Sequence, residues 1–338
     1  MSAGRFTVFG SATTLRGDFP GAAALFAECF TKATFPEDEF VKVQQLALGA
    51  IAQRIDDPQQ EISELFCDNL PADSPYHIIQ GGTADSVKGL TANDLQAYHA
   101  KYFVPNNMIV TVFGDIDPDE ALALVTKHFG GLKAAPDLKP ISFDRPNAIA
   151  KTIVRHKEIG KPTAMVMLGY PTASIFDKED YAATTVLGAV MAGYRYPGGW
   201  LHNELRGAGL VYYVQAAQMT GPAPGYFAIL AQTRPDALAE VVSRIEKNVE
   251  RAKEGRISDD EFRTAVDRVI ALHAQENTAI AEQAQQAALD ELYGLGYDYR
   301  KTFDSRIKAI TLKDVVEAAK RHFGKHVLVT SSPENGDR

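Results

Sequence analysis

The chain has 338 residues, 45% hydrophobic and 23% charged, a balance that excludes a mostly disordered chain and a length that allows two domains. Its net charge of −8 and pI of about 5.5 repel phosphate backbones, and no dense Lys/Arg run offsets them, so nucleic acid is not an expected partner. No apolar run approaches ~20 residues, so no membrane span is expected. Two cysteines, Cys29 and Cys67, support neither a disulfide framework nor a cysteine metal site.

The N-terminal stretch MSAGRFTVFG shows no basic region followed by an apolar one. The chain as given therefore reads as cytoplasmic, and as periplasmic or organellar if the true N-terminus lies upstream. Both cysteines sit in helix-like apolar stretches and read as buried free thiols. FPEDEF (Phe35–Phe40) precedes a long helix, and Asp56 and Asp57 precede Pro58 and cap the next one. His77 in SPYHIIQGG reads as structural. Thr91 is a helix N-cap with Asp94 at the third helical position, and this helix runs into an expected strand, MIVTVFG (Met108–Gly114). The segment 133–150, KAAPDLKPISFDRPNAIA, has a linker composition.

Beyond the linker, KTIVRH and PTAMVMLGY alternate like strands, and Asp177 to Met191 reads as a helix. GYRYPGGW (Gly193–Trp200) lacks the context of a phosphate loop and reads as a flexible connection. Trp200 to Arg206 reads as a short helix ended by Gly207 and Gly209. LVYYVQA and GYFAILAQ read as strands. Helices are expected at 235–254, 258–277, 279–292, 299–309 and 312–323, followed by a last strand, VLVTS. His322 and His326 have a metal-like spacing, but Gly324 ends the helix between them, and they read as surface residues. His202 and Glu204 fall on different helix faces and are not a metal pair.

The chain contains itself twice. Ser86–Phe103 resembles Arg306–Phe323, Phe35–Phe40 resembles Ile257–Phe262, and Gly4–Phe9 resembles Gly225–Leu230, all at a near-constant offset of about 220 residues. The expectation is an α+β fold made of a duplicated domain, each copy a largely antiparallel sheet with helices layered on one face. The first copy, 1–132, is incomplete and lacks about 70 residues at its front by this offset. The linker is 133–150, and the complete second copy is 151–335.

This duplicated unit, with LRGAGLVYYV after a Gly-rich helix break, resembles the pitrilysin/insulinase family of zinc metallopeptidases, which includes mitochondrial processing peptidase and the respiratory bc1 core proteins. The stretches FPEDEF, DDP (Asp56–Pro58), PYHIIQGGTADSVKGLTANDLQAYHAKYFVPNNMIVTVFGD and TRPDALAEVVSRIEKNVE fit its pattern. The resemblance implies a zinc held by H-x-x-E-H and a distant glutamate, with the acid between the histidines as general base. None of the eight histidines lies in such a motif. Counting back from Pro58 to the third-ligand position lands on Ala50, and a methyl cannot ligate zinc. This chain therefore resembles a zinc-free half with no catalytic and no metal-binding residues, zinc belonging to a partner half.

In the zinc-free half of the family an arginine and a tyrosine reach across to bind the substrate backbone, and Arg206 and Tyr212 stand at the matching positions. A guanidinium can hold a peptide carbonyl or an oxyanion, and a phenol can donate to the same oxygen. The bland alternatives are a helix-end cation and an ordinary strand aromatic. One departure is Trp200, where the family often has arginine. Three readings follow. The chain is a substrate-binding subunit beside a zinc-bearing peptidase half, a fragment of a longer single-chain peptidase, or a scaffold resembling the respiratory core proteins.

Overall fold

The computed structural model describes residues 1–139, 149–194 and 197–333. The middle of the expected linker, Arg195 and Tyr196 of the glycine-rich connection, and the end of the second copy beyond 333 lie outside the described residues. The chain divides into two compact units that are interleaved in sequence.

One unit comprises Met1–Ala52, Gln80–Ser142 and Ala274–Thr302. Its strands among the described residues are β1 (Ser2–Ala3) and β2 (Val8–Phe9), a minimal antiparallel pair. Helices α1 (Phe19–Thr31) and α2 (Glu37–Arg54) follow, and α3 (Pro58–Asp68) belongs to the other unit. The unit continues with α4 (Ala84–Lys88), α5 (Ala92–Tyr102) and α6 (Pro118–Phe129). α1 buries Ala27 and Phe30 on one face, which turns Cys29 outward. Cys67 is the buried thiol and Cys29 is exposed, so the expectation of two buried thiols is corrected.

Met108–Gly114 was expected to be a strand and is not one. A strand needs a neighbour's backbone to complete its ladder, and no strand pairs with it among the described residues. Ile109, Val110 and Phe113 remain 39%, 36% and 43% exposed. Beyond the β1–β2 pair, the sheet expected of the first copy is likewise missing among the described residues.

The second unit comprises Gln53–Ile79, Phe143–His273 and Phe303–Arg338. Its sheet is built from β3 (Ile153–Ile159), β4 (Ala164–Pro171), β5 (Val211–Met219), β6 (Tyr226–Thr233) and β7 (Val327–Pro333) in the order β3-β7-β4-β6-β5. Among the described residues only the β3–β7 pairing is parallel, so the sheet is largely antiparallel, as expected. Helices α7 (Lys178–Ala192), α9 (Leu238–Lys253), α10 (Asp259–Glu276), α12 (Phe303–Ala309) and α13 (Leu312–His322) share one core with one face of it. Between α7 and β5 lies the single turn α8 (Gly199–Leu201), and α11 (Ile280–Leu292) belongs to the first unit. The α9 pattern shows why it packs there: Val241, Ile245, Val249 and Ala252 recur at helical spacing and are buried.

The residues of β4 alternate between two covered faces. Val166, Leu168 and Tyr170 enter the helical core. On the opposite face, Phe66 of α3 lies against Gly169 and meets the Tyr226 ring edge-on at 5.6 Å. A strand buried on both faces reads as a continuous apolar run, as AMVMLGY does.

Glu61 anchors α3. Its two carboxylate oxygens take ion pairs from Lys157 and Lys161 at 2.7 Å each. Burial disfavours its charge, but the two lysines outweigh burial and hold the carboxyl below its ordinary value of 4.5. A lowered carboxyl pKa stabilises the fold above the unfolded value and loses that contribution as pH falls through the folded one. Urea unfolding between pH 7 and pH 3 should therefore show stability falling below about pH 4.5, and Glu61→Gln should flatten that part of the profile.

The two Thr-capped helices end alike. Thr91 and Thr311 each take an Asp oxygen on their own backbone N–H at 2.8 Å, from Asp94 and Asp314. Both helices close on a phenylalanine, with φ/ψ of −89/64 at Phe103 and −81/60 at Phe323.

Candidate functional site

The stretch from Trp200 to Tyr213 forms a turn between the core and the edge of the sheet. α8 passes into a π turn at His202–Arg206. There the Leu210 N–H donates to the Leu205 carbonyl at 2.9 Å and the Gly207 N–H to His202 at 3.3 Å. Wide turns of this kind open helices at functional places. Gly209 follows with φ +67, a left-handed conformation that ends the element. Gly209→Val should cost about 1–2 kcal/mol, read as a lower thermal midpoint, because an L side chain is strained there even in open space.

The indole of Trp200 holds the base of the turn. It is 5% exposed and donates to Glu261 at 2.6 Å. The Arg251 guanidinium lies over the ring, 3.8 Å from its centroid, and also pairs with Glu261 at 2.8 Å. Burial disfavours the Glu261 charge, but donors from Ser258 and Trp200 and the nearby Arg251 hold its carboxyl below the ordinary glutamate value. Glu204 is likewise engaged, by Asn248 at 2.8 Å and Arg251 at 3.5 Å. Trp200 and Arg251 thus stack on each other and share the Glu261 carboxylate at the base of the turn.

Arg206 and Tyr212 are brought together, though not side chain to side chain. Arg206 Nη1 donates to the Val211 carbonyl at 3.1 Å and the Tyr212 carbonyl at 2.6 Å. β5 and β6 pair Val211 with Thr233 and Tyr213 with Gln232, so Tyr212 is the extra residue of a β-bulge. Bulges at sheet edges re-aim a side chain. Tyr212 is 56% exposed, whereas Tyr213 is bonded by Gln59 of α3, and burial raises its pKa. Among the described residues β5 pairs on one side only, with β6.

Two further arginines, Arg234 and Arg244, join the turn without having been singled out in the sequence. Arg234 donates to the Gly209 carbonyl at 3.4 Å and Arg244 to the Glu204 carbonyl at 3.3 Å. With Arg206, three guanidiniums hold the backbone between 204 and 212. The signal was the stretch TRPDALAEVVSRIE, which carries both residues but gives no hint of which carbonyls they reach.

Asp57 caps α3 through the Gln59 N–H at 2.8 Å, and His77 bonds the Cys67 carbonyl at 3.0 Å. His322 is not a surface residue. It pairs with Asp180 at 2.6 Å and its side chain is 12% exposed, because α13 packs on α7. Zinc does not fit the residues present. Ala50 is an exposed methyl on α2, and among the described residues no group of three or more His, Cys, Asp or Glu side chains is placed to hold a metal. Nor is any described helix long and apolar enough to cross a membrane.

Comparison with solved structures gives the fold. The fold matches a peptidase M16 inactive domain from Pseudomonas fluorescens with a TM-score of 0.82 and 24% identity, over 96% of this chain and 77% of that one. A protease from Helicobacter pylori matches with a TM-score of 0.80 and 22% identity, over 95% and 78%. The description of the peptidase M16 inactive domain matches residues 89–269, just over half of the sequence, and the chain belongs to that family. An uncharacterised zinc protease of Mycobacterium leprae is 28% identical over 260 residues, 75% of this chain and 57% of the relative. The zinc protease PqqE of Helicobacter pylori is 27% identical over 255 residues, 74% and 56%. The chain thus spans little more than half the length of these relatives.

Proposed function

We propose that this chain is the non-catalytic, substrate-binding part of an insulinase-type zinc metalloendopeptidase, completed by a zinc-bearing half on a separate chain or an upstream segment. The observation that carries this reading is the Arg206 clamp, which fixes the bulged, exposed Tyr212 at the start of a one-sided edge strand. Such an edge offers unpaired backbone groups to an extended peptide. Beside it, the guanidinium and the phenol supply donors for the peptide's carbonyls. The pair is carried by the copy spanning 151–335, and the general base and metal come from the other half.

The test is native purification from the source, followed by intact mass and zinc content of whatever co-elutes. A second chain carrying zinc, or one heavier chain containing this sequence and zinc, supports the reading. The 36.8 kDa chain recovered alone and metal-free favours the scaffold role instead.

A further inference from the structure

Asn248 interrupts the buried stripe of α9. The other residues of that stripe, Val241, Ile245, Val249 and Ala252, are apolar, and Asn248 is as buried as they are, at 2% exposed. Its amide nitrogen donates to the Glu204 carboxylate at 2.8 Å and to the Arg244 carbonyl at 3.0 Å. Both contacts are acceptors, which fixes the orientation of the amide. Its oxygen Oδ1 is buried and has no hydrogen-bond partner among the described residues. A leucine would fill this place without that cost, so the amide is explained by what it holds rather than by packing.

What it holds is the π turn. Glu204 lies in His202–Arg206, two residues before Arg206. Its side chain is 42% exposed, and Arg251 reaches its other oxygen at 3.5 Å. Arg244 takes its carbonyl at 3.3 Å. The closing bond of the turn, from the Gly207 N–H to the His202 carbonyl, is long at 3.3 Å. An α turn holds fewer residues than a π turn, so rewinding after Glu204 is released would rotate Arg206 about the helix axis, away from the Val211 and Tyr212 carbonyls.

We propose that Asn248 is a positioning residue of the candidate site. By gripping Glu204 it keeps the π turn wound and the Arg206 guanidinium on the Tyr212 carbonyl. Its consequence for turnover rests on the function proposed above; its consequence for the clamp does not.

The sequence supplies a probe. Tyr212 and Tyr213 are its only adjacent tyrosines. Tyrosine labelled with carbon-13 at the carbonyl and nitrogen-15 at the amide therefore gives one carbonyl–amide correlation by NMR. It reports the Tyr212 carbonyl, the atom that Arg206 bonds. Arg206→Ala defines the position of the unclamped carbonyl. Asn248→Leu and Glu204→Ala should each move the correlation toward that position. The double variant should move it no further than the larger single change, because both remove the same bond. Glu204→Gln leaves Asn248 an oxygen to bond and should return the correlation to near its original place. Glu246→Gln, exposed on the same helix, should not move it.

Stability should not follow the same pattern. Asn248→Leu should keep or raise the thermal midpoint, since it removes a buried, unmatched oxygen. The kcat/KM of the peptidase assembled with its zinc-bearing half should nevertheless fall about tenfold, as misplacement of a binding group does. If Asn248→Leu disturbs the core, Glu204→Ala carries the test from the exposed side. A correlation that stays in place in both variants, beside a displaced one in Arg206→Ala, overturns the proposal and leaves the functional reading standing. Displacement that appears only with a lowered midpoint also overturns it, because the network is then merely structural. Displacement with unchanged turnover keeps Asn248 as the positioner of the clamp and sinks the functional reading instead. A correlation unmoved even in Arg206→Ala removes the clamp and overturns both.

Discussion

Phe66→Ala should destabilise the sheet unit by about 3–5 kcal/mol, measured by urea unfolding followed by circular dichroism. Phe66 is fully buried, and its ring rests on the bare backbone of Gly169 because a Cβ there would overlap it. On its other side Tyr226 meets it edge-on, and Tyr226 is in turn met by Tyr76 at 5.9 Å, whose hydroxyl donates to the Ala223 carbonyl at 3.2 Å. These neighbours are held by the sheet and by each other, so they cannot collapse into the space left by the ring, and the cavity cost adds to the transfer cost. The reverse change tests the same contact: Gly169→Ala should cost about 1–3 kcal/mol by overpacking. In a Phe66→Leu background that second cost should shrink, since the flexible leucine can yield to the new methyl. Equal costs in both backgrounds, or a Phe66→Ala loss below about 1 kcal/mol, contradict the contact as described.

That pairing of Phe66 with Gly169 also shows where the sequence stopped being readable. The strands and helices from β3 to β7 stood in the pattern of alternation and caps, because each is decided by residues within a few positions of itself. Asp94 and Asp314 marked two helix starts for the same local reason. What covers an element is decided far away in the chain, and there the pattern gave no guide. AMVMLGY announces a strand buried on both faces, but nothing in it says that the second cover is α3, which lies before the linker. Met108–Gly114 has a strand's composition and lacks a neighbour, so β-propensity alone misplaced it. Cys29 and His322 failed alike: exposure follows from which face of α1 turns outward, and from Asp180 reaching back to α13. At the site, Arg206 and Tyr212 were recognisable by resemblance. The bulge that links them depends on the register against β6, and the clamp on a π turn that no spacing rule announces.

On the function proposed above, Arg206→Ala should lower kcat/KM of the peptidase assembled with its zinc-bearing half about ten- to hundredfold, the range for losing hydrogen bonds from a charged donor. The same change should cost at most about 1 kcal/mol of stability, because the side chain is exposed and its partners can turn to water. Two effects combine. The substrate loses a guanidinium donor, and the bulge loses the bond to the Tyr212 carbonyl that keeps the ring aimed. Tyr212→Phe separates them, since Arg206 bonds the backbone of Tyr212 rather than its phenol. That variant keeps the clamp and loses only a neutral donor, so its effect should be about two- to tenfold. Arg206→Lys keeps the charge without the planar fork and should fall between the two. Because the arginine both binds and positions, the double variant Arg206→Ala/Tyr212→Phe should lose less than the product of the single losses, for without the clamp the phenol is no longer held where it acts. Unchanged turnover in Arg206→Ala would make the clamp purely structural. A loss of turnover that tracks a loss of melting temperature across the series would say the same, because a binding role predicts impaired kinetics in a chain that remains folded.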